Sequence, residues 1–221
     1  MPDQSKLIWF NGSIVAWQEA QIHVMSHVIH YGSGVWEGIK CYKTEEGPSI
    51  FRLNDHIKRL YNSANNYGIN IPYSPNQLKK ACTDIVEVNK LDSCYIRPIA
   101  FYGFDTLGVH PKDCPVEVAI GSFYWGAYLG DEGIQNGVKV TISPWKRLSL
   151  DAFPSSTKAS GHYLNSLLAV QDARKRGFDE AILLNANGLV SEGSGQNIFV
   201  IKNNEIFTNG EQASILMGIT R

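Results

Sequence analysis

Two stretches carry side chains whose types could do chemistry. Residues 155–165 read SSTKASGHYLN and set Lys158 among small, polar neighbours; residues 190–199 read VSEGSGQNIF, with Glu192 opening a Gly-Ser-Gly turn. An amine that can shed its proton serves as nucleophile and base, and a carboxylate pairs with a cationic nitrogen. Small neighbours suit a backbone closely approached by a ligand, although a solvated loop has the same composition, and an isolated acid before such a turn is ordinarily solvated. At this level both readings stay open.

Other patterns carry less. His23, His27 and His30 could converge on a metal if all three lay on one helix face. His23 instead falls in a strand-like stretch before Ser26, a candidate N-cap, so no metal site is expected. The run Tyr31-Gly32-Ser33-Gly34-Val35-Trp36-Glu37-Gly38 has its third glycine one residue late for a dinucleotide fingerprint and precedes a strand, which makes it a tight turn. Serine-hydrolase, P-loop and zincin motifs are missing. Cys41, Cys82, Cys94 and Cys114 form no C-x-x-C pair and read as buried thiols of a reducing cytosol.

The elements that must position these residues can be read from turns and periodicity. Apolar or alternating runs at 7–10 and 14–17 flank Asn11-Gly12, a type I′ turn signal. Helices are expected over residues 55–65 and 75–89, the second with Ser74 as N-cap, Pro75 at the first turn and Gln77 completing a capping box. Strands are expected over 35–42, 93–102, 116–123 and 138–143. A helix over 163–176 ends at Gly177, and two hairpins turn at Asn187-Gly188 and Asn203-Asn204. This pattern gives an α+β fold, mostly antiparallel. The glycine-rich stretch 124–137 reads as a linker, dividing a small N-terminal α/β domain (1–125) and an interdomain loop (126–137) from a C-terminal large domain (138–221).

The chain has 221 residues, 20 basic and 21 acidic, with 43% hydrophobic and 19% charged side chains. Near-neutral charge gives no electrostatic argument for nucleic acid or membrane surfaces, and the chain shows neither a signal-peptide pattern nor an apolar run of membrane length. The expected location is the cytoplasm.

Motifs in consistent order along the chain resemble the branched-chain amino acid aminotransferases, pyridoxal-phosphate enzymes of the fold-type IV group. They are IWFNG (8–12), VMSHVIHYGSGVWEGIKCY (24–42), FRLNDHIKRL (51–60), YIRP (95–98), WGAYLG (125–130), TKASGHYLNSLLA (157–169), SEGSGQNIF (191–199) and GITR (218–221). The resemblance implies two α/β lobes flanking a cofactor cleft. It implies that Lys158 attaches to the aldehyde of pyridoxal 5′-phosphate and then moves a proton at the substrate Cα, and that Glu192 pairs with the pyridine nitrogen. It further implies that Arg59 grips the cofactor phosphate, joined by Ile219 and Thr220 at a helix start, with Tyr163 on the ring oxygen and Gly195 close to the cofactor. Tyr31, Trp36, Gly38, Trp125 and Tyr128 would line an apolar side-chain pocket, and Tyr95 and Arg97 would receive the distal carboxylate of glutamate.

The implied activity is exchange of the amino group between L-leucine, L-isoleucine or L-valine and 2-oxoglutarate, giving branched-chain 2-oxo acids and L-glutamate, in a homodimer or larger homo-oligomer. Alternatives are D-amino acid aminotransferase or aminodeoxychorismate lyase chemistry on the same fold, or a non-catalytic cofactor-binding fragment. Position 196 is Gln where the pattern more often has Glu, and position 36 is Trp where Phe is common. Family members continue past GITR, so a longer parent protein, with an otherwise incomplete large domain, is expected.

Overall fold

A computed structural model describes residues 5–126 and 129–221. Two compact units emerge: one holds the described residues through Trp125 together with Lys158–Gly161, the other the described residues of Gly126–Thr157 and His162–Arg221.

The first unit is a seven-stranded antiparallel sheet with two helices on one face. Its elements run β1 (Leu7–Phe10), β2 (Ser13–Ala16), α1 (His27–Tyr31), β3 (Gly34–Trp36), β4 (Ile39–Thr44), β5 (Gly47–Ile50), α2 (Leu53–Asn66), α3 (Pro75–Val88), β6 (Cys94–Tyr102) and β7 (Val116–Phe123). The β1–β2 hairpin turns at Asn11 (φ 45°) and Gly12 (φ 93°), both in the positive-φ region that a type I′ turn requires. The capping box of α3 forms as expected, with the Gln77 N–H donating to Ser74 Oγ (3.3 Å) and the Ser74 N–H to Gln77 Oε1 (2.7 Å). Ile57 and Leu60 of α2 and Leu78 and Ile85 of α3 are fully buried against Cys94, Ile96 and Ala100 of β6. Each such side chain contributes about 1.5–3 kcal/mol.

The single strand expected over 35–42 is broken in two. Trp36 of β3 pairs with Ile99, Ile39 of β4 with Ile96, and Glu37-Gly38 face Arg97-Pro98 across the gap. The Glu37 N–H donates to the Pro98 carbonyl (2.8 Å), so the side of Pro98 facing the gap is the one where a proline has no N–H to return. Along β6 side chains alternate, and Tyr95 and Arg97 stand on the face opposite the helices.

The second unit contains α4 (Gly130–Asn136), β8 (Val140–Ile142), α5 (Tyr163–Lys175), β9 (Glu180–Leu184), β10 (Val190–Gly193), β11 (Val200–Lys202) and β12 (Glu205–Phe207). The order β10-β9-β8 is antiparallel then parallel, α5 making the crossover, and β11–β12 form a separate hairpin. Ala169 and Ala173 of α5 pack on Ala181 and Leu183 of β9. Residues 130–136, expected inside a loop, are helical: Asp131 and Glu132 sit in the first turn, where a helix favours acids, and Gly137 at φ 75° ends it. Among the described residues no helix is long and apolar enough to cross a membrane.

Candidate active site

Lys158 belongs to the first unit although its chain neighbours on both sides of 158–161 belong to the second. Its N–H donates to the buried Ser63 Oγ of α2 (3.1 Å), its carbonyl accepts from the Trp36 N–H (3.1 Å), and Ala159 bridges to Val35. The lysine backbone thus extends the sheet edge at β3. At the next turn a Cβ on Gly32 would lie 3.0 Å from the Gly161 Cα, and Gly32 has φ 65°, so a side chain there meets both a backbone and an unfavourable dihedral.

The Lys158 side chain reaches the Trp36 indole, its Nζ 4.1 Å from the ring centroid, and the Arg97 guanidinium lies 4.0 Å from the same centroid. Arg97 is further surrounded by Tyr95 (5.1 Å) and Trp125 (5.7 Å), and its Nη2 meets the Tyr95 hydroxyl at 3.4 Å. Among the described residues its Nε is buried without a hydrogen-bond partner. A guanidinium walled by aromatic faces with one buried N–H unsatisfied has the chemistry to receive an anion. Gly38 makes room for this group: a Cβ there would fall 1.6 Å from the Tyr95 Oη. Lys40 donates to the Trp125 carbonyl (2.6 Å), tying the segment after β7 to β4. Trp36, Gly38, Tyr95, Arg97, Trp125 and Lys158 are therefore one cluster.

Tyr31 stands elsewhere, exposed on α1, its ring tilted against His27 (centroids 4.5 Å apart) and its hydroxyl donating to the Leu107 carbonyl (2.6 Å). Tyr128 lies outside the described residues. His27, one of the three clustered histidines, is buried, with Nε2 on the Gly108 carbonyl (3.0 Å) and Nδ1 at 2.6 Å from Ser33 Oγ.

Arg59 lies on α2 in an ion pair that sequence reading missed. Its Nε and Nη2 donate to the two oxygens of Glu37 (2.6 and 2.8 Å), and His56 Nδ1 donates to Glu37 Oε2 (2.7 Å). Burial raises the Glu37 pKa, but the hydrogen bonds and charges of Arg59 and His56 outweigh it and hold the carboxyl below its ordinary value.

In the second unit Glu192 is buried on β10. Its Oε1 accepts from Arg147 Nε (2.7 Å); its Oε2 accepts from the Leu216 N–H (3.0 Å) and from Asn197 Nδ2 at 3.4 Å. Arg147 also reaches Asn165 of α5 (3.4 Å). Charge-assisted donors of this kind fix a carboxylate in one orientation. Tyr163 is the first residue of α5, half-buried. Gly195 is exposed, its N–H donating to Gln196 Oε1 (3.2 Å), while Gln196 Nε2 donates to Glu180 Oε2 (3.2 Å). An amide at 196 thus supplies a donor where a carboxylate would face another carboxylate. Residues 218–221 are irregular backbone, with the Gly218 N–H donating to Asn197 Oδ1 (3.1 Å) and Asn197 Nδ2 to the Leu216 carbonyl (2.8 Å). Ile219 and Thr220 follow directly on this pinned segment.

Comparison with known proteins gives a consistent result. The profile of the amino-transferase class IV family matches residues 34–221. The branched-chain-amino-acid aminotransferase of Escherichia coli (strain K12) is 44% identical over 215 residues, covering 97% of this chain and 70% of that protein. A crystal structure of the Escherichia coli branched-chain amino acid aminotransferase superimposes with a TM-score of 0.95 at 43% identity, over 100% of this chain and 72% of that one. The branched-chain aminotransferase from the thermophilic archaeon Thermoproteus uzoniensis, crystallised with norvaline, gives a TM-score of 0.91 at 39% identity, over 97% of this chain and 71% of that one.

Proposed function

Because the chain belongs to the class IV aminotransferases, and within them to the branched-chain amino acid aminotransferases, we propose that it passes the amino group of L-leucine, L-isoleucine or L-valine to 2-oxoglutarate in a ping-pong cycle, yielding branched-chain 2-oxo acids and L-glutamate. The observation that carries this reading is the meeting of Lys158 and Arg97 on one indole, Trp36, with a buried Arg97 N–H left for an anion.

The donor set suits pyridoxal 5′-phosphate: an amine (Lys158), a buried carboxylate gripped by Arg147 (Glu192), an arginine (Arg59), a tyrosine (Tyr163) and the Gly195, Ile219 and Thr220 backbone. When bound, the cofactor supplies an aldehyde that takes up the amino group and a ring that accepts the electrons of the broken Cα–H bond. Lys158 would hold that aldehyde through Nζ, and its free amine would serve as the base for the Cα proton. Glu192, oriented by Arg147, would accept the pyridine N–H. Arg97 and the Tyr95 hydroxyl take the distal carboxylate of glutamate, whereas Trp36 and Trp125 give an alkyl side chain apolar walls. Ile29 and Leu107, exposed near Tyr31, support a homodimer or larger assembly with Tyr31 at the shared face.

The test is the visible absorption spectrum of the chain mixed with pyridoxal phosphate, before and after L-isoleucine is added without an oxo acid. A lysine-bound cofactor band that bleaches with L-isoleucine and not with D-alanine is expected, together with loss of borohydride-trapped label in Lys158→Ala. Bleaching by D-alanine alone, or label retained on the variant, would sink the reading.

A further inference from the structure

Glu37 is fully buried, yet no part of the proposed chemistry uses it. A buried carboxylate is strongly disfavoured unless several donors converge on it. Here Arg59 grips it at two points, Nε to Oε1 and Nη2 to Oε2, and His56 adds a third donor, Nδ1 to Oε2. His56 and Arg59 are three residues apart on α2 and so share a face. Glu37 is itself anchored from the sheet, in the gap between β3 and β4, by its N–H on the Pro98 carbonyl. A pair of apolar side chains would fill such a position at less electrostatic cost. What the ion pair provides in addition is orientation: a planar guanidinium held along one edge has its opposite edge aimed in a single direction.

We propose that Glu37, backed by His56, is a positioning residue that aims the Arg59 fork at the cofactor phosphate. This rests on the reading of Arg59 as the phosphate grip. The two ideas of what Glu37 does predict opposite signs. By charge alone, removing a carboxylate from beside an anion site strengthens anion binding. By positioning, removing it weakens binding, because the guanidinium loses its fixed plane.

Equilibrium dialysis of the full chain with pyridoxal phosphate and with pyridoxal, which lacks the phosphate, measures the phosphate preference as a ratio of affinities. The unaltered chain should prefer the phosphorylated form. Glu37→Gln should reduce that preference about tenfold with pyridoxal affinity unchanged, and should add little to the loss already present in Arg59→Gln. A general loosening of the fold would lower both affinities together and would count against the proposal. Should Glu37→Gln not fold, Glu37→Asp keeps the charge but shortens the reach, and the same loss of preference is expected. If Arg59→Gln erases the preference while both Glu37 variants keep or raise it, the positioning role is overturned and the Arg59 reading survives. If Arg59→Gln leaves the preference intact, or the unaltered chain has none, both fall.

Discussion

Arg147 touches Glu192 at 2.7 Å with both side chains about nine-tenths buried, which makes it the residue on which the charge of Glu192 most depends. Removing one partner of a buried pair strands the other charge, at a cost of about 3–5 kcal/mol. Arg147→Met is expected to lose stability of that order by urea unfolding, and Arg147→Met combined with Glu192→Leu to regain much of it. His162 offers a pH test. Burial first, and then the nearby charge of Arg147, lower its pKa to about 4, against a hydrogen bond to the Thr157 backbone that raises it. The unfolded chain therefore takes up a proton below about pH 6.5 that the folded chain refuses until about pH 4. Its stability contribution is whole above that window and falls through it by roughly 3 kcal/mol. Urea midpoints at pH 7 and pH 4.5 should separate more for the native chain than for His162→Phe, and equal separations would refute the assignment. Lys158 and Glu192 stand out in the sequence because their motifs are local. Arg147, Glu37 and His56 do not, because the partners that give them meaning lie 45, 22 and 19 residues away.

At the scale of elements, what could be read in advance was what neighbours decide. The Asn-Gly and Asn-Asn turns and the α3 capping box depend on residues within one turn of each other, and they form as read. The β3–β4 break depends on a proline in another strand, and α4 hides in a glycine-rich stretch that resembles a linker. That break has a testable consequence for specificity. Gly38 lies in it, and a methyl there must displace the Tyr95 hydroxyl. Gly38→Ala is expected to raise KM for L-glutamate several-fold more than for L-isoleucine, since only the acidic substrate is assigned to Tyr95 and Arg97. Equal changes in both would argue against that division of the pocket.

At the scale of the whole molecule, the mostly antiparallel α+β fold was legible from the number of hairpins and the scarcity of helices. The membership of residues 158–161 was not, because the contacts that claim them come from β3 and α2. The first unit holds the larger core, and Leu60, fully buried at its centre, should cost about 2–5 kcal/mol when cut to alanine, read by urea unfolding. A loss under about 1 kcal/mol would mean that the α2 face is less tightly packed than described.

The distance along the chain between β3 and Ala159 also sets an order of events during synthesis. A ribosome releases residues 1–125 before it has made the segment that completes the edge of their sheet, so the first unit waits through the next 32 residues with β3 lacking its Ala159 bridge. The peptide that finishes the unit is the one that carries Lys158. A nascent chain therefore acquires the Lys158 amine and the last piece of its first folding unit in the same step.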